Sequence, residues 1–203
     1  MDRKEHWENI YKTKKLTDVS WYQPFPETSL TYIKGLELNK TAAIIDVGGG
    51  DSFLVDFLLA ENYSNISVLD ISEKSLKRAE QRLGERSAGV KWIHQDVLEY
   101  EPKEKFDLWH DRAAFHFFTL EEDVQNYIQV LKNATKSGSY CILGTFSKEG
   151  PNKCSGINVR QYSTSDLITL FSADFNVISC SNVTHKTPSG ATQDFSFCNF
   201  QRK

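Results

Sequence analysis

Three glycines stand between two acids in "IIDVGGGDSF", which places Asp46, Gly48, Gly49, Gly50 and Ser52 within seven positions. Glycine tolerates positive φ and carries no Cβ, so a ligand can lie directly against such a backbone. Asp70 ends "ISVLD" twenty positions after Gly50. That is the separation at which a carboxylate in a doubly wound sheet reaches ribose hydroxyls. A tight strand-to-helix turn with no ligand would use the same glycines, and Asp70 is the residue that favours a nucleoside. A dinucleotide fingerprint needs a small residue where this chain has Phe53, and a phenylalanine there would hold the helix off the strand. A triphosphate loop needs a lysine followed by serine or threonine, and "GGGDSF" has neither. The turn therefore argues against both NAD and ATP.

A second group of reactive residues lies in "FDLWHDRAAFHFF": Asp111, Arg112 and His116, with His110 beside them. A guanidinium pairs with anions, and an imidazole accepts a proton near neutral pH. The structural alternative is that Asp111 and Arg112 pair to fix a turn while His116 packs in the core. Asp111 is expected near the ligand, because an α/β sheet delivers the ends of its strands to the site. The four cysteines, Cys141, Cys154, Cys180 and Cys198, have no C-x-x-C spacing. No metal site and no disulfide framework is expected from them. Cys154 stands apart in a polar loop, either beside an acceptor or as an incidental surface thiol.

The elements that must position these residues follow from periodicity. "AAIIDV", "ISVLD", "VKWIHQD", "FDLWHD" and "YCILGTF" read as five strands separated by helical patterns, which means a parallel sheet with helices on both faces. Ser72 and Gly84 bracket one helix, and Gly138 is expected to end another whose capping box is Thr119 and Glu122. After the long loop 148–162, in which Arg160 and Tyr162 are candidates for acceptor contact, Ser163 and Asp166 open a short helix. "FNVISCSNVTH" and "DFSFCNFQR" then form a hairpin, since their connection is too short for a parallel crossover. The first forty residues are helical and aromatic. Trp7 and Tyr11 fall on one helix face, and Trp21 and Tyr22 beside two prolines are the better candidates for a lid.

A net charge of −3 and 25% charged residues leave no basic field for nucleic acid. No apolar run is long enough to cross a bilayer, and the charged N-terminus lacks a signal-peptide core. A cytoplasmic protein of one domain, residues 1–203, is expected. Its parts are a helical lid (1–40), a ligand-binding core (41–147), and a substrate loop with terminal hairpin (148–203).

The pattern D-x-G-x-G-x-[G/S], carried by Asp46, Gly48, Gly50 and Ser52, resembles the class I S-adenosylmethionine-dependent methyltransferases. The resemblance runs from "HWENIY" to the last strand. It implies a seven-stranded sheet of order 3-2-1-4-5-7-6 with strand seven antiparallel. It also implies S-adenosylmethionine as cofactor, with the glycine loop including Gly49 against the methionine part and Asp70 on the ribose. Asp96 would meet the adenine amino group, Ile71 and Val97 would flank the ring, and Tyr11 and Trp21 would cover it. The [N/D]-P-P-[Y/F] motif of adenine and glutamine methylation is absent, and "DRAAFHF" is similar to the D-R-G-A-L stretch of thiopurine methyltransferases. The leading expectation is methyl transfer to a small molecule, possibly a thiol, with Asp111, Arg112 and His116 as catalytic candidates. A protein-lysine methyltransferase is the alternative, and a non-catalytic cofactor-binding module comes third. The protein is expected to be a monomer or weak dimer.

Overall fold

The computed structural model describes residues 2–203. Helices α1 (Arg3–Thr13) and α2 (Glu27–Lys34) precede β1 (Ala43–Val47). There follow α3 (Leu54–Ala60), β2 (Asn65–Asp70), α4 (Glu73–Leu83), β3 (Val90–His94) and β4 (Phe106–Arg112). The chain closes with α5 (Glu121–Ala134), β5 (Thr135–Phe146), α6 (Thr164–Phe171), β6 (Phe175–Lys186) and β7 (Thr192–Arg202). The sheet order is β3-β2-β1-β4-β5-β7-β6, and β7 runs antiparallel to both neighbours, as expected from the sequence. No helix among the described residues is long and apolar enough to cross a membrane.

Both faces of the sheet are covered, so its central strands are buried on both sides; all five residues of β1 are buried, Asp46 included. Alternate side chains of one strand enter opposite layers. Ala43, Ile45, Val47 and Trp109 pack with Tyr127 and Leu131 of α5 and Phe171 of α6. Ile44 and Leu108 pack with Leu30 of α2, Leu54 of α3 and Leu76 of α4. Asp111 shares the parity of Trp109 and so enters the α5 layer, where it is fully buried. Its Oδ1 accepts from the N–H groups of Ala114 (2.9 Å) and Phe115 (3.2 Å), and its Oδ2 accepts from the Tyr127 hydroxyl at 2.6 Å. Trp109 Nε1 in turn donates to that hydroxyl at 2.8 Å. Burial raises the Asp111 carboxyl to about 6 against the pull of these bonds. The residue is a post that fixes the turn after β4.

Four local expectations are corrected. Helix α5 begins at Glu121 with Leu120 as its N-cap and no side-chain cap, so Thr119 and Glu122 form no box. Glu121, Glu122 and Asp123 in its first turn complement the positive helix end instead. The same helix ends at Ala134 and β5 starts at Thr135, which leaves Gly138 inside the strand. Cys180 and Cys198 are bonded, because the β6–β7 register sets them directly opposite with Cα atoms 4.2 Å apart. Cys141 and Cys154 remain free and buried.

Replacing Asp111 by alanine strands one hydroxyl and two N–H groups, each costing about 1–3 kcal/mol. A loss of about 3 kcal/mol corresponds to a Tm lower by roughly 6–12 °C in a domain of this size. Calorimetry showing a shift of less than about 2 °C would contradict the assigned role.

Candidate active site

The chain leaves β1 on one side and β4 on the other, and a cleft opens over their ends. The turn after β1 takes positive φ at Gly48 (64°) and Gly50 (48°). A Cβ at Gly48 would sit 2.6 Å from that of Ala114, in the turn after β4. A Cβ at Gly50 would lie 2.9 Å from both Asp70 Oδ2 and the Tyr11 hydroxyl. The glycines thus let three segments converge: the β4 turn, the end of β2 and helix α1.

Over β2 and β3 the cleft is lined by Asp70, Ile71, Asp96 and Val97. Asp70 Oδ1 accepts the Ser72 N–H at 2.8 Å, and burial pushes its carboxyl up to about 7. Asp96 caps the turn that follows it through Leu98 N–H (2.9 Å) and meets Arg3 at 3.1 Å. Arg3 also reaches Asp123 (3.4 Å) and lies over the Phe118 ring. Helix α1 is thereby strapped across the opening. Glu8 on the same helix accepts from the Glu73 and Lys74 N–H groups at the start of α4. Trp7 packs edge-on against Trp21 and Phe117, and Tyr11 is buried beside Trp21.

Over β4, β5 and β7 the cleft is lined by Arg112, Phe117, Phe146, Cys154, Gln193 and Phe195. The free space of this cavity, mouth included, is about 860 Å³. Arg112 Nη1 donates to the Trp21 carbonyl at 3.1 Å, and the guanidinium lies 5.1 Å from the centre of the Phe195 ring. Its Nη2 is buried and has no partner among the described residues. Burial pulls its pKa down to about 10, so it stays charged at neutral pH. Cys154 sits in a small hairpin, Lys153–Cys154 paired with Ile157–Asn158, which turns its thiol inward from the loop. Burial pushes that thiol's pKa up.

A second cavity, sharing Tyr11, Trp21, Gly48 and Arg112 with the first, lies on the other side of the glycine turn against Asp46, Gly49, Ser52 and His110. His110 bridges Asp46 Oδ1 (2.7 Å) and Ser29 Oγ (2.9 Å), which fixes the acid behind the turn.

The structure therefore gathers Tyr11, Trp21, Asp46, Gly48, Gly49, Ser52, Asp70, Ile71, Asp96, Val97 and Arg112 around the two cavities. Asp111 and His116 are not among them. Asp111 faces the opposite layer by strand parity. His116 is fully buried, its Nδ1 accepts from the Phe146 N–H at 3.1 Å, and burial holds its pKa down at about 3. Arg160 and Tyr162 also lie away from the cleft: Arg160 pairs with Glu121 at 2.9 Å, and Tyr162 stacks on Phe115 in the core. Arg3, Phe117, Gln193 and Phe195 escaped the sequence reading. Arg3 comes from α1, Phe117 from the turn after β4, and Gln193 and Phe195 from β7, and no spacing links them to the glycine loop.

The arrangement is a nucleoside-sized groove, acidic over β2 and β3, that continues into an aromatic chamber bearing the half-buried Arg112. A family model described as a methyltransferase domain matches residues 38–193. The chain is 26% identical over 107 residues to malonyl-[acyl-carrier protein] O-methyltransferase 2 of Ilyobacter polytropus, covering 52% of this chain and 40% of that protein. It is 25% identical over 157 residues to EEF1A lysine methyltransferase 2 of Danio rerio, covering 69% and 66%. It thus spans less than two thirds of either relative. Among solved structures, the Burkholderia thailandensis 1,6-didemethyltoxoflavin-N1-methyltransferase, with that compound and S-adenosylhomocysteine bound, superposes with a TM-score of 0.71. Identity there is 16%, over 98% of this chain and 83% of the other. With three quarters of its length matched to the family model and a sheet of the corresponding order, the chain belongs to the class I S-adenosylmethionine-dependent methyltransferase family.

Proposed function

We propose that the protein transfers a methyl group from S-adenosylmethionine to a small molecule whose nucleophilic atom needs no protein base, such as a thiol. When bound, the cofactor supplies an electrophilic methyl on a sulfonium. Asp70 accepts from its ribose hydroxyls, Asp96 from its adenine amino group, and Ile71 and Val97 flank the ring. The turn at Gly48, Gly49 and Ser52, backed by Asp46, takes the amino-acid part. Tyr11 and Trp21 exclude water from above. Gly50 acts indirectly, by giving Asp70 and Tyr11 room to meet the turn.

The acceptor class rests on one observation. Among the described residues, no carboxylate or imidazole lines the chamber formed by β4, β5 and β7. An ammonium would have to lose its proton before attack, and nothing there takes it. The Arg112 cation further disfavours an ammonium and favours an ionised nucleophile. Cys154 stays a neutral thiol and bounds the chamber. Much of the rate in such a displacement comes from holding the partners aligned within about 3–3.5 Å. The rings of Trp21, Phe117 and Phe146 supply that confinement. Methylation of a protein lysine is the second reading, favoured by the similarity to an EEF1A lysine methyltransferase.

Labelled methyl transfer to matched thiol, amine and carboxylate panels is expected to favour thiols. No transfer to any small acceptor, with label entering protein lysines, would replace this reading by the second. For the cofactor, an ionised Asp70 takes hydroxyl donors better than a protonated one. Its carboxyl titrates at about 7 in the free protein. Affinity for S-adenosylhomocysteine should therefore rise as pH increases from about 5.5 and level off above about 7.5. Asp70→Ala should weaken binding by about tenfold or more and flatten this profile. A calorimetric profile equally steep in wild type and variant would remove Asp70 from the ribose.

A further inference from the structure

The chamber over β4, β5 and β7 contains two buried polar atoms without partners among the described residues: Arg112 Nη2, a donor, and Gln193 Oε1, an acceptor. Gln193 is 8% exposed and lines only the larger cavity. The two residues come from β4 and from the start of β7, which lie on opposite sides of β5 in the sheet. Their neighbours in the chamber are aromatic rings and the Cys154 thiol, and Phe195 lies over the face of the guanidinium, which leaves its N–H edge for an anion. The largest charge influence on Arg112 is Asp46, whose carboxylate is engaged by His110.

An unpaired buried charge and an unpaired buried amide oxygen are both costly, and each is relieved by a ligand atom of the opposite kind. We infer that the methyl acceptor is an anion that also bears an N–H or O–H donor, its negative group taken by Arg112 and its donor by Gln193. The inference rests on the proposed function and adds the charge and polarity of the substrate to it. It also assigns Gln193 as a specificity residue. A neutral acceptor would leave the guanidinium without a counter-ion. An anion without a donor would leave Gln193 unsatisfied.

Binding separates this inference from turnover. Protein loaded with S-adenosylhomocysteine is titrated calorimetrically with benzoate, anthranilate (the same anion with an added N–H donor) and neutral aniline. Anthranilate is expected to bind most tightly, benzoate less tightly and aniline not measurably. Arg112→Met should weaken both anions by about tenfold or more, and Gln193→Leu should abolish the advantage of anthranilate over benzoate. Affinity for S-adenosylhomocysteine in the Gln193 variant, within about threefold of wild type, shows that the cleft has kept its fold. Aniline binding as well as benzoate would overturn the inference. So would anion affinities untouched by Arg112→Met, or no anion binding at millimolar concentration. A loss of S-adenosylhomocysteine affinity in Arg112→Met without change in anion preference would also overturn it, by assigning the cation to the cofactor. If labelled methyl reaches neutral thiols while no anion binds, the proposed function stands and this inference falls. If anions bind while no small acceptor is methylated, the reverse holds.

Discussion

Between β1 and β4 the chain changes the direction in which it lays down strands: β2 and β3 are added on one side, β5 and β7 on the other. The turns leaving β1 and β4 must part around that line, and a crevice over the strand ends results. Every candidate group enters it from a strand end or from the roof above. The division of labour follows the same line. The β2 and β3 side brings two carboxylates, suited to the hydroxyl and amino donors of a nucleoside. The β4, β5 and β7 side brings aromatic rings, a thiol and a cation. The glycine turn sits on the boundary, where Gly48 lets the β4 turn pass and Gly50 lets Asp70 and the roof meet.

Buried charge distinguishes the working residues from the supporting ones. Asp111 is enclosed, and its three hydrogen-bond donors are all supplied by the protein, so nothing more is required of it. Asp46 is likewise held by His110. Asp70 has a backbone donor on one oxygen, is pushed up to about 7, and turns its other oxygen towards the cleft. Arg112 has one amino group satisfied by a carbonyl, and the other has no partner among the described residues. Tyr162 and His116 also carry buried atoms without partners among the described residues, so it is incomplete satisfaction on the wall of a cavity that marks where ligands are to be sought.

The strands, the closing antiparallel pair and the caps of α4 and α6 are legible in hydrophobic alternation and turn residues, which report local geometry; the strand order follows only from the family resemblance. Asp111 and Arg112 show where that legibility ends. They are neighbours in sequence and were read as one cluster, yet strand parity sends them to opposite layers. Parity was present in "FDLWHD", with Trp109 and Asp111 two apart, but which layer holds the site is a tertiary fact. Cys154 in its polar loop reads equally as an acceptor contact or a surface thiol, and a hairpin too short to leave a periodic signal turns it inward. Gln193 lies in a turn-rich stretch, and only the β5–β7 pairing brings it to the chamber. The bond between Cys180 and Cys198 depends equally on register, which composition does not report.

The roof of the groove is made by α1, and the polar ties that hold it are distant in sequence: Glu8 to the start of α4, Arg3 to the turn after β3 and to α5. A polypeptide emerging from the ribosome presents α1 long before its anchors exist. Docking of this helix must therefore come late in synthesis, after the sheet has nucleated through β3 and α5. Helix α1 is made before its anchors and closes after them, and that closure buries Tyr11 and seats Trp7 against Trp21 and Phe117.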